Sequence, residues 1–243
     1  MNFRHSWIIA LKDIKVFIRK RTVLYMIVLL PLMLSVIFPL VIEFAKGGGI
    51  TGPYLLTLLH SFEWFFVIIP AIIPAPIASY SIVGEKLEKS LERLLATPTT
   101  DGEILLGKGL AAFIPTIIAT YAGASIFMTL IDAVTNGRLG YLYYPNWDMG
   151  VILLLLAPLA LLLSIELNII TSSRVTDVRA AGQAGSLMFL PFIGIYIASE
   201  IGVFTLDTNN LLIIAGVIAV LDVVLFRIST SLFQREQILT KWK

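Results

Sequence analysis

Stretches of about twenty apolar residues recur along the whole chain, separated by short polar breaks, and this spacing constrains the fold more than any other feature. At a helical rise of about 1.5 Å per residue, twenty such residues match a bilayer core of roughly 30 Å. The stretches fall at 23–45, 60–83, 104–133, 149–172, 183–204 and 210–231. Composition agrees: 58% of residues are hydrophobic and the mean hydropathy is +0.91, where soluble domains are roughly 45–50% apolar. The expectation is an all-α membrane protein with six transmembrane helices. A single membrane domain, 23–232, follows an interfacial segment, 1–22, and precedes a short tail, 233–243. The first apolar stretch is too long for the core of a signal peptide and lacks a clear small-residue cleavage site, so it reads as a retained helix.

The orientation follows from the basic residues, which are held on the cytoplasmic side near helix ends. Arg4, Lys12, Lys15, Arg19, Lys20 and Arg21 precede the first span; Lys86, Lys89, Arg93 and Lys108 follow the second. Arg174 and Arg179 follow the fourth, and Arg227, Arg235, Lys241 and Lys243 end the chain. The opposite side holds only Lys46 and Arg138. Both termini are therefore expected to be cytoplasmic in a cell membrane, and the net charge of +2 reflects topology rather than nucleic-acid binding. The N-terminal arm carries Trp7, Leu11, Ile14 and Ile18 at helical spacing with Lys12, Lys15 and Arg19 off that stripe. Such a helix lies in the headgroup plane against membrane lipids. It is either an anchor that sets topology or an elbow that packs beside a partner subunit.

Several residue types narrow the chemistry. The absence of cysteine removes disulfides, thiolate nucleophiles and cysteine-based metal sites. His5 and His60 stand far apart and read as surface or interfacial residues, so no metal site is expected. Eight prolines fall inside the expected spans: Pro31, Pro39, Pro70, Pro74, Pro76, Pro115, Pro158 and Pro191. Each removes a backbone donor, so bends or breaks are expected, most clearly at Pro70, Pro74 and Pro76, and at Pro115. Glu43, Glu63, Asp132, Asp148, Glu200 and Asp207 fall near the outer ends and read as interfacial. Glu166, with Asn168 close by, and Asp222 lie deeper, where a carboxylate lines a pathway or bonds two helices together.

The most informative stretch lies between the second and third spans. Leu87, Leu91, Leu94 and Leu95 form one apolar face of an expected amphipathic helix over about 84–97, and Glu85 pairs favourably with Lys89. Thr97-Pro98 stops it, and Thr100 with Glu103 has the capping-box spacing that starts the next helix. A short leucine-striped helix in water, fenced by its own stop and start signals, is built to dock against something.

Here the chain resembles the permease subunits of ABC-2 type transporters. These carry a cytoplasmic segment Glu-Lys-x-x-x-x-Leu-Glu-x-Leu-Leu-x-Thr-Pro, then a Gly-Lys pair entering the third span. Glu85, Lys86, Leu91, Glu92, Leu94, Leu95, Thr97, Pro98, Gly107 and Lys108 supply that order. The basic arm and six-span layout extend the likeness over nearly the whole chain. Ser90 departs from the family's usual small residue, and the short connection from about Val203 to Asn210 leaves little room for re-entrant outer helices. The resemblance implies a coupling helix that touches a separate ABC nucleotide-binding (ATPase) subunit. It also implies a second permease subunit, in a homo- or heterodimer, and transport in the direction of export. ATP and magnesium would sit on the partner, with no cofactor or catalytic residue in this chain. Gly102 to Lys108 fits the spacing of a phosphate-binding loop but lacks the closing Ser or Thr and a preceding strand. Two other classes stay open: a membrane-embedded enzyme acting on lipid through Glu166 and Asp222, and a carrier that works without ATP.

Overall fold

A chain in lipid must satisfy its backbone polar groups internally, and among the described residues every regular element is helical. The computed structural model describes residues 3–44, 53–75, 77, 99–174, 183, 185, 187 and 189–232. The elements are α1 (Phe3–Arg19), α2 (Arg21–Phe44), α3 (Pro53–Ile72) and α4 (Asp101–Leu139). Next comes α5, in which Trp147–Val151 passes through a π-helical turn, Ile152–Leu156, into Ala157–Arg174. Then follow α6 (Phe189–Glu200) and α7 (Thr208–Leu232). The expected helix over 84–97 lies outside the described residues, as does Pro76.

Among the described residues, five helices are long and apolar enough to cross a membrane, with spans at Arg21–Phe44, Tyr54–Ile72, Asp101–Leu139, Trp147–Ser172 and Thr208–Ser229. Of the stretch expected as the fifth of six spans, 183–204, the structure describes α6 with 12 residues, and several of the residues before it lie outside the described ones. The second span differs, because α3 starts at Pro53 rather than at 60. Proline is pre-set for the first turn of a helix, and the early start places His60 and Glu63 within the helix instead of at its mouth.

Helix α4 is the spine. With 39 residues it extends about 58 Å, so it outruns the roughly 30 Å bilayer core. Helices α1 and α2 pack along it, α5 joins α3, α4 and α7, and α6 leans on α3. Close approach of α2 depends on Gly123, where a Cβ would stand 2.9 Å from Pro31 Cβ. Ser35 Oγ sits there between the carbonyls of Pro31 and Gly123 and donates its single proton to one at a time. Aromatic rings fill the centre: Phe38 stacks on Phe62 at 4.3 Å between centroids, and Phe127 contacts Phe66 and Tyr144. Trp64 Nε1 donates to the Phe192 carbonyl at 3.0 Å, tying α3 to α6.

The prolines act unequally. Helix α3 ends at Ile72, between Pro70 and Pro74, and Ser164 Oγ donates to the Ala71 carbonyl at 2.7 Å, serving one of the acceptors that a helix end leaves over. Pro115, expected to bend or break its helix, interrupts nothing: α4 runs through it as one element, and α2 likewise continues through Pro31 and Pro39.

Candidate functional site

The base of α4 is built from its first residues upward. Thr100 is the N-cap, its Oγ1 accepting from Glu103 N at 3.3 Å while Glu103 Oε2 accepts from Thr100 N at 3.1 Å. The expected capping box is therefore present, immediately after the segment that ends in Pro98. His5 of α1 reaches the same carboxylate, with Nδ1 3.3 Å from Glu103 Oε2. One turn on, a Cβ at Gly107 would lie 2.8 Å from the Ser6 carbonyl oxygen and 2.9 Å from Ile9 Cβ. Only glycine lets α1 lie this close. Lys108 then buries its ammonium against Asp13, with Nζ 3.4 Å from Oδ2. The Gly-Lys pair that matched the spacing of a phosphate loop is thus the seat of α1.

Helix α1 turns Ser6, Ile9, Ala10, Asp13 and Phe17 into this joint. The stripe read from sequence is the other face, since Trp7, Leu11 and Ile18 are exposed. A buried face that includes serine and aspartate carries little hydrophobic signal, so periodicity picks out the exposed side, as suits a stripe expected to lie on lipid, with Ile14 alone of the four partly buried against the core.

Glu166 on α5 and Asp222 on α7 stand on two helices that pack against each other. Among the described residues, Glu166 Oε2 and both Asp222 carboxylate oxygens have no hydrogen-bond partner. Asn168 is fully buried and donates from Nδ2 to the Ser164 carbonyl at 2.7 Å. Its other side presses on Gly185, where an added Cβ would fall 1.5 Å from Asn168 Oδ1. The two carboxylates sit on adjoining helices; Asn168 is engaged in packing.

At the far end of α4 lies a cluster that the sequence reading missed. Glu63 was expected to meet water, yet it is only 1% exposed. Asn146 Nδ2 donates to Glu63 Oε1 at 2.7 Å, while Asn146 Oδ1 accepts from Met149 N at 2.7 Å and so caps α5. His60 Nδ1 stands 3.7 Å from Glu63 Oε2 and 3.6 Å from Asp148 Oδ2. Thr208, the first residue of α7, donates to the other Asp148 oxygen. Asp132 Oδ1 holds the loop beneath, accepting from Tyr143 N at 2.9 Å and Tyr144 N at 3.0 Å. Burial, and then the neighbouring Glu63 carboxylate, push the Tyr143 and Tyr144 hydroxyls above the ordinary phenol range. The spacing of His60 and Glu63 on one helix face was visible in the sequence; Asp148 belongs to another helix and was not.

Comparison with curated proteins gives no match. The family model described as ABC-2 family transporter protein matches residues 7–212, from α1 into α7 and across both ends of α4, so the chain belongs to that family of membrane transport components.

Proposed function

We propose that the chain is the permease half of an ATP-driven exporter, working by alternating access that separate nucleotide-binding subunits drive. It pairs with a second permease subunit and contacts the ATPase through 84–97. The observation that carries this reading is the joint at the base of α4. A capped helix start directly after Pro98 transmits displacement without fraying, and the Asp13–Lys108 pair passes the same displacement to α1. A push on 84–97 would thus move a spanning helix and the N-terminal arm together. The apolar outer face of α1 suits a helix lying on lipid. Helix α6 lies in the stretch expected as the fifth span, 183–204, and the distribution of basic residues favours cytoplasmic termini. Glu166 and Asp222 line the pathway, a reading supported by the lack of any hydrogen bond between them.

The test is co-purification with the ATPase. Leu91 and Leu94 should be buried on docking, each contributing roughly 1.5–3 kcal/mol. The double change Leu91→Asp, Leu94→Asp is expected to lose most ATPase binding per folded permease while insertion survives. Unchanged binding would overturn the coupling role.

A further inference from the structure

The far end of α4 presents side chains arranged as ligands with an open face. His60 on α3 is 43% exposed at its side chain, whereas Glu63 is buried and Asp148 on α5 is nearly so. One donor atom from each lies within 4.8 Å of the others. Around a tetrahedral ion with bonds of about 2.1 Å, neighbouring donors stand about 3.4 Å apart. The 3.6 and 3.7 Å separations at His60 Nδ1 are close to that value, and the two carboxylate oxygens lie within 4.8 Å of each other.

The remaining oxygens show the same organisation. Glu63 Oε1 is held by Asn146 and Asp148 Oδ1 by Thr208, which leaves Oε2 and Oδ2 aimed at His60. Such outer hydrogen bonds orient carboxylates in metal centres. The buried Tyr144 hydroxyl has no hydrogen-bond partner among the described residues. Beside the cluster is a cavity of about 350 Å³ lined by Thr57, His60, Ser61, Asp148, Glu200 and Asp207, with no lysine or arginine among its described lining residues. His60 and Asp148 therefore face a space with no lysine or arginine among its described lining residues, while Glu63 is buried beside them.

We propose that His60, Glu63 and Asp148 bind one divalent transition-metal ion of the zinc class, with the cavity supplying the open coordination position. Imidazole beside carboxylate suits zinc and its neighbours, whereas magnesium and calcium prefer oxygen alone. The ion ties α3 to α5 and, through Thr208, stiffens the start of α7. The site stands apart from the transport reading: it is a clamp at the end of the bundle opposite the α1 joint.

The experiment uses the full purified chain, stripped with a chelator and titrated with zinc, with binding followed calorimetrically and by thermal unfolding. One zinc per chain is expected, with a rise in unfolding temperature that excess magnesium does not reproduce. His60→Ala and Asp148→Asn should each weaken binding by more than about 100-fold, and Thr208→Val, which removes only an outer hydrogen bond, by less, about 10–100-fold. His5→Ala, at the other end of α4, should bind as the parent does. Size-exclusion profiles identify any variant that fails to fold, and Thr208→Val keeps the test intact in that event. Absence of saturable binding near one equivalent, or equal affinity in His60→Ala and Thr208→Val, would overturn the proposal.

Discussion

The two ends of α4 handle buried carboxylates in opposite ways. At the base, Asp13 meets the Lys108 ammonium, and Glu103 is met by the Thr100 backbone N–H and by His5. At the far end, Glu63 and Asp148 are served by the neutral donors Asn146 and Thr208, with His60 alone between them. The base is electrostatically closed and behaves as a fixed joint. The far end has acceptor capacity left over, which the proposed ion would use.

The largest expected effect is at the joint. Lys108→Ala removes the cation nearest a buried carboxylate, a change that costs about 3–5 kcal/mol when the remaining charge is left behind. Replacing both partners, Asp13→Leu with Lys108→Met, should restore most of the loss, because a buried ion pair is worth little against good apolar packing. Chemical unfolding of the purified chain measures both variants. If the single change matched the double, the pair would not be what fixes α1 in register.

A smaller effect separates packing from charge. Gly107→Ala drives a methyl into the Ser6 carbonyl and Ile9, at about 1–3 kcal/mol for overpacking. Gly109→Ala meets nothing closer than Ile165 Cγ2 at 3.7 Å and should be neutral or stabilising by up to about 1 kcal/mol. Protease release of α1 should rise in the first and stay at the parental level in the second.

The smallest effect sharpens the contrast. Glu63→Gln keeps an acceptor for Asn146 and discards a buried charge that pairs with no lysine or arginine among the described residues. In metal-free protein its stability should change by less than about 1 kcal/mol, since trading a poorly compensated buried charge for a neutral amide saves desolvation. A large loss in the same unfolding assay would mean that Glu63 is matched at its site as Asp13 is at the base.

Much of this was legible before any coordinates. The Thr100 and Glu103 spacing announced a helix start, and the start is there, because a capping box is closed by four consecutive residues. The length of α3 was misjudged at Pro53, where a proline that can end a helix instead begins one. Pro115 was expected to disrupt α4, and the helix runs on through it. The segment from Glu85 to Pro98 was the strongest family signal, and it lies outside the described residues.

The sequence by itself determined the membrane class, the helical fold and the family, since each rests on patterns with a period shorter than one span. Hydropathy repeats over about twenty residues, caps over four, and the family motif over a few turns. Only the tertiary structure decided which face of α1 is buried, that Lys108 belongs to Asp13, and that His60 and Glu63 share a corner with Asp148. These depend on how two helices rotate about their own axes when they pack. That rotation is set by small contacts such as Gly107 on Ser6 and Gly123 on Pro31, between residues so distant along the chain that no local pattern records them.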